Sequence, residues 1–231
     1  SETTFIESAE IEWLGVIDIV EYREKKLAVK RSQHENDEVF TEAVESLQRR
    51  LNNLHRNLVS VLDFRLHHSQ LITEVLYELP LQRVDASERS VTHCIVDYLS
   101  LLSALAELQK HDSFHGDVRM TYALRSEAGQ ALLAERSDDP LSPLQRQLAH
   151  IRRRQKLYLP GQLFCSLMAQ EPAIEHNPLQ TDAFALGMLF LEWIAGEQSV
   201  QNLFDFKRRL FDQRGLEDLL ISTQKRQSCQ G

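Results

Sequence analysis

The 231-residue chain has few of the residues that build specialised scaffolds: eight glycines, six prolines, three methionines and three cysteines. Cys94, Cys165 and Cys229 are far apart and odd in number, which excludes a disulfide framework or a zinc cluster and reads as reduced thiols. Positive charge is also short, with 26 Lys and Arg against 34 Asp and Glu, a net charge of −8 and a pI near 5.6. Nucleic acid and anionic membranes both require a positive surface field, so neither is an expected partner. Long apolar runs are missing. The longest, residues 183–195, is interrupted by Glu192 and is too short to span a bilayer. The chain opens at Ser1 without a basic-then-apolar leader, and the expectation is an intracellular, cytoplasmic protein. What is present is a hydrophobic fraction of 42%, enough for a sizeable core, with 26% charged residues to keep its surface wet.

Strand signals dominate the first third. Residues 11–20 are apolar and β-branched, and Ile19-Val-Glu-Tyr-Arg23 and Lys26-Leu-Ala-Val-Lys30 flank a charged turn at Glu24-Lys25. Asn36-Asp-Glu predicts a helix start, after which Phe40, Val44, Leu47, Leu51 and Leu54 recur at helical spacing. Residues 58–64 and 70–75 read as two more strands joined by a turn at His67-His68, giving about five strands and one helix before residue 90. Beyond Pro80 the pattern turns helical. Residues 87–110 predict a long helix with a stripe of Ile95, Tyr98, Leu99, Leu102, Leu105 and Leu108. Residues 183–194 are apolar on nearly all sides and predict a helix inside a core, and residues 202–223 predict two short helices broken at Gly215. The outline is an α+β chain, β-rich first and mainly helical later.

Six segments, in order, resemble the protein-kinase family of eukaryotes. Leu27-Ala-Val-Lys30 resembles the strand that carries the nucleotide-binding lysine, and His55-Arg-Asn-Leu-Val-Ser-Val-Leu-Asp-Phe64 the stretch after the αC helix. Leu71-Ile-Thr-Glu74 resembles the strand into the hinge, Phe114-His-Gly-Asp-Val-Arg119 the catalytic loop, and Tyr158-Leu-Pro-Gly-Gln162 the end of the activation segment. Residues 181–196 resemble the buried helix of the large lobe and are the strongest single match. The resemblance implies a bilobal fold, with residues 1–78 as a β-rich N-lobe and 79–231 as a helical C-lobe. It assigns Lys30, with Glu42 or Glu45 as its αC partner, to the nucleotide, Thr73 to the gatekeeper place, Glu74 and Val75 to the cleft wall, and Asp117 to the acceptor-orienting acid.

The chemistry implied by that family is incomplete here. Gly15 is the only glycine before Gly116, so no glycine-rich loop exists. Val16, Ile17 and Asp18 would face the phosphates, and Asp18 would repel them. Gly116 replaces the loop arginine, Arg119 takes the place of the loop lysine, and the metal-binding asparagine position falls on Tyr122, a poor Mg²⁺ ligand. The metal aspartate position reads Glu135-Arg136-Ser137, with Asp138 and Asp139 as alternative placements and no Phe-Gly after any of them. The sequence therefore resembles a pseudokinase. No cofactor is expected; ATP could still enter the cleft, whereas Mg²⁺ has lost its ligands. The expected role is a protein-binding scaffold or regulator, with Arg152, Arg153 and Arg154 as a basic docking patch in an acidic chain. Two alternatives stay open: a divergent phosphotransferase of Ser/Thr type working with Lys30, Asp117 and Glu135, and a structural subunit of a larger assembly.

Overall fold

A computed structural model describes residues 4–52, 54–79, 82–84, 90–134, 143–153, 158–169, 174–196 and the single positions 198, 201 and 205. The fold is α+β, with an antiparallel five-stranded sheet built from the N-terminal third and helices after it. Strands β1 (Thr4–Ile11), β2 (Gly15–Tyr22), β3 (Lys25–Gln33), β4 (Val61–His67) and β5 (Ile72–Glu78) lie in the order β1-β2-β3-β5-β4. Helix α1 (Asp37–Asn52) connects β3 to β4. The expected continuous strand over residues 11–20 is instead split by a turn at residues 12–14. There Trp13 and Leu14 fold inward and are buried, and Gly15 re-enters the sheet at φ +71°. A β-branched run cannot reveal such a turn, because the residue types on either side of it are the same.

Register explains which residues face the core. Lys30 lies opposite Val75, Ala28 opposite Tyr77 and Ser32 opposite Thr73, so these side chains share the inner face of the sheet. Helix α1 starts where predicted: the side chain of Asn36 accepts the N–H of Val39 at 3.0 Å. It buries Phe40, Leu47 and Arg50 and ends at Asn52, which leaves Leu54 beyond it and exposed.

Helix α2 (Val91–Lys110) follows, capped by Ser90. It is long and apolar enough to pass a composition test for a membrane span, yet Leu101, Ala104, Leu105 and Leu108 pack into the protein core. The expected stripe is only half right. Leu105 and Leu108 face inward, but Ile95, Leu99 and Leu102 are exposed, and Cys94, Asp97 and Leu101 take the buried places. An almost uniformly apolar helix has no strong side for periodicity to find. What fixes its face is polar: Asp97 is buried and accepts from Arg125 at 2.5 Å.

A second small sheet, not foreseen, joins β6 (Gln82–Arg83), β7 (Ala123–Arg125) and β8 (Ala131–Leu133). It ties the two halves together. The backbones of Val59 and Asn57 exchange hydrogen bonds with Leu133, and the Asn57 amide donates to the Ala131 carbonyl at 3.0 Å. Helices α3 (Pro143–Arg152), α4 (Gly161–Met168) and α5 (Pro178–Ala195) complete the described fold. One hydrophobic core runs from the sheet (Ile17, Val75, Tyr77) through α2 to α5 (Leu186, Leu189, Trp193). The expected helices over 202–223 lie outside the described residues. Helix α5 begins with Pro178 after Asn177, whose side chain accepts the N–H of Leu179 at 3.0 Å and of Gln180 at 3.3 Å. Asn177→Ala is expected to cost about 1 kcal/mol in urea unfolding, the usual worth of such a cap.

Candidate functional site

The densest polar cluster forms around the loop before β7. Its centre is Asp117, whose side chain is 1% exposed. Arg119 Nε donates to Asp117 Oδ1 at 2.7 Å, Gln147 Nε2 donates to the same oxygen at 3.4 Å, and His150 Nε2 lies 3.2 Å from Oδ2. Arg119 Nη1 approaches the other ring nitrogen of His150 at 3.3 Å. An arginine can only donate, so the contact assigns Nδ1 of His150 as acceptor from Arg119 and leaves Nε2–H to donate to Asp117. Gln147 Nε2 also donates to the Gly116 carbonyl at 3.1 Å. Helix α3 thus lies over the carboxylate and closes it off.

Electrostatics follow from that closure. Burial alone would raise the pKa of Asp117, but the hydrogen bond from His150 and the charge of Arg119 outweigh it and bring it down to about 2. Asp117 is therefore a fixed carboxylate whose acceptor capacity is directed at cationic and donor side chains.

Beneath it, the loop backbone is held by α5. The N–H of His115 donates to Asp182 Oδ2 at 2.7 Å and the N–H of Gly116 to Oδ1 at 2.9 Å. Burial pushes the Asp182 carboxyl upward, as does the neighbouring Asp117 charge, against the stabilising pull of His115 and these two N–H groups. His115 itself accepts the N–H of Asp117 at Nδ1, 3.1 Å, and its Nε2 lies 2.8 Å from the Ala134 carbonyl. Its ring packs edge-on to Tyr122, with centroids 5.3 Å apart. Tyr122 is buried, so the phenol in the place of the metal asparagine is a packing residue. A second buried acid, Glu192 on α5, accepts the hydroxyl hydrogen of Tyr158.

The other sequence-predicted residues are more dispersed. Lys30 Nζ donates to the Val16 carbonyl at 3.4 Å, at the start of β2. Among the described residues it makes no ion pair, and Glu42 and Glu45 are both on the exposed side of α1. The structure does not bring either glutamate to Lys30, because α1 turns Phe40, Leu47 and Arg50 inward instead. Thr73 is fully buried but sits one residue into β5, where it bonds His34 at 3.0 Å. Four residues of strand separate it from the exit of β5 at Glu78. Val75 shares the inner face with Lys30. Glu74 points the opposite way, to Arg31 at 2.7 Å and His67 at 3.4 Å. Arg152 and Arg153 are exposed at the end of α3, while Arg154 and Glu135 lie outside the described residues.

The residues that sequence reasoning missed are His150, Gln147 and Asp182. For Asp182 a signal existed: a lone acid near the start of an apolar helix is costly to bury unless donors await it. Nothing comparable marked His150, which sits in a charged segment like its neighbours. No protein-family model and no curated protein matches the chain.

Proposed function

We propose that the chain is a protein-kinase-like domain of the pseudokinase kind, which does not transfer phosphate and acts by binding a protein partner. Support comes first from arrangement. The segment resembling the lysine strand is β3, the helix and strand after it are α1 and β4, and the catalytic-loop segment is joined to the buried-helix segment through Asp182. In this reading residues 1–78 and 79–231 are the two lobes of one domain.

The single observation that carries the loss of chemistry is the state of Asp117. An acceptor-orienting acid must be open to a hydroxyl, and a metal-binding acid must have free lone pairs. Both oxygens of Asp117 are engaged by Arg119, Gln147 and His150 under α3. Magnesium would lack one of its usual ligands at this loop, since Tyr122, in the place of the metal asparagine, packs edge-on to His115. A divergent phosphotransferase would need α3 to leave, and a subunit role would use the same surfaces as a binding module. Cytoplasmic residence agrees with the acidic composition and with reduced thiols at Cys94 and Cys165.

Thermal-shift titration with ATP, alone and with Mg²⁺, tests this reading. At ligand well above a micromolar dissociation constant, real binding would add about 2–4 kcal/mol of apparent stability. The expected result is a midpoint moved by less than about 1 °C, a stability change well below 1 kcal/mol. Magnesium-dependent stabilisation together with phosphate transfer lost in Lys30→Met would overturn it.

A further inference from the structure

Helix α2 turns apolar side chains to both sides. Cys94, Leu101, Ala104 and Leu108 pack into the core. Away from it, Ile95 is 43% exposed, Leu99 55% and Leu102 38%, and Ala106 is exposed on the same side. At about 100° per residue these four positions lie within about 60° of one another. Their spacing is four, three and four residues, the seam of a paired helix. Single exposed leucines are ordinary on a surface, but an aligned row of apolar side chains marks a contact face.

Charge and register decide what packs there. Between Val91 and Ala106 the only acid is Asp97, which is buried and paired with Arg125, and no lysine or arginine occurs. An acidic or basic partner finds no complement on this face. The whole chain carries a net charge of −8, so two copies repel in general, and a neutral face is where they can meet without that cost. The row is also complementary to itself. An antiparallel pair with its two-fold axis between Leu99 and Leu102 sets Leu99 against Leu102 of the second copy, and Ile95 against Ala106. Large meets small at each end, as close packing requires. Farther out, Thr92 meets Gln109 and Val91 meets the aliphatic stem of Lys110, so no like charges are opposed. A parallel pair would stack Ile95 on Ile95 and leave a gap between two Ala106 side chains.

We infer that α2 is a self-association surface, on which two copies of this chain pair through Ile95, Leu99, Leu102 and Ala106 with their α2 helices antiparallel. The seam from Ile95 to Ala106 is about 17 Å long. So short a contact makes a weak dimer, with a dissociation constant on the order of 10 µM. The inference goes beyond the binding role proposed above and involves neither Asp117 nor Lys30, so either can fail while the other stands.

Sedimentation velocity of the full chain from about 1 to about 200 µM is the test, since mass action makes such a dimer concentration-dependent. Monomer is expected at the dilute end and dimer at the concentrated end. Raising salt from about 0.05 to about 0.5 M should not dissociate it, because no ion pair crosses the seam. Leu99→Glu and Leu102→Glu should each weaken association at least about tenfold, by setting a charge in an apolar contact. Both side chains are exposed, so circular dichroism and the urea midpoint of the dilute protein should stay at the parent's values. Ile95→Lys and Ala106→Glu should each weaken association alone, and an equimolar mixture of the two should recover it, since the antiparallel register brings those positions together. A monomer throughout the range, loss of the dimer in salt, a dimer indifferent to Leu99→Glu, or a mixture no tighter than its components would each overturn the inference. A monomer that instead floats with phosphatidylcholine vesicles would overturn it by assigning the face to a membrane. The ATP titration tests the pseudokinase reading separately.

Discussion

Asp182→Ala is expected to destabilise the fold by about 2–5 kcal/mol. The carboxylate accepts two backbone N–H groups, from His115 at 2.7 Å and Gly116 at 2.9 Å, in a place where water does not reach. Alanine leaves both donors without acceptors, and each such orphan costs about 1–3 kcal/mol. The loop has no easy escape, because Gly116 already sits at φ +77° and His115 is tied to Asp117 and Ala134. Asp182→Asn keeps one acceptor oxygen and turns an NH₂ group toward the other donor, so its cost should fall between. Urea unfolding gives the magnitude. Amide exchange gives the cause: the His115 and Gly116 N–H groups should exchange quickly while β2, β3 and β5 remain protected. A loss below about 1 kcal/mol, which is the worth of an ordinary exposed hydrogen bond, would mean that the clamp is not what holds the loop to α5.

Strands β2 to β5 were legible because they are rich in β-branched and apolar residues and bounded by polar turns, whereas β1 (Thr4–Ile11) was not, since its exposed residues carry no apolar run. Its details were not. The turn at residues 12–14 hides in a run where Ile11 and Val16 look alike, and it is the burial of Trp13 against Tyr77, ring centroids 5.5 Å apart, that folds the chain inward there. Helix α2 was legible as a helix but not in its orientation, which Arg125 sets by drawing Asp97 inside. The small sheet of β6, β7 and β8 escaped because its strands are two or three residues long and because β6 pairs with β7 far along the chain, Gln82 with Arg125. The candidate site was half visible. Asp117 could be named from its loop, but its condition depends on His150, 33 positions away, and no local pattern encodes that contact. Lys30 was placed correctly on its strand, whereas its carboxylate partner required the exact roll of α1, and the roll favoured Arg50.

Asp117→Asn should change the response of the protein to acid more than its stability at neutral pH suggests. The Asp117 carboxyl is held at about 2, against an ordinary value of 3.8. A depressed carboxylate pKa stabilises the fold above the ordinary value and loses that contribution as pH falls toward the folded value. For this shift the contribution is about 2 kcal/mol, fully present above pH ~4 and gone near pH ~2. Asparagine removes it, so the acid limb of a stability profile should be shallower in the variant between those limits. Asp182 works in the opposite direction, since its pKa is raised in part by the Asp117 charge. Taking that charge away should let Asp182 ionise more easily, which removes part of that opposing slope and makes the flattening smaller than the loss of Asp117 alone would give. At neutral pH the amide can still accept from Arg119 or from His150, so the loss there should be about 1–2 kcal/mol. Asp117→Ala strips both partners and leaves Arg119, with a side chain 12% exposed, facing a void; about 3–5 kcal/mol is expected, as for one half of a buried ion pair removed. Chemical unfolding of the three proteins from pH 7 down to pH ~2.5 provides the check, because the predicted change in slope lies inside that window. If the asparagine variant followed the parent's acid limb without change, the carboxylate could not be the fixed charge that α3 locks in place.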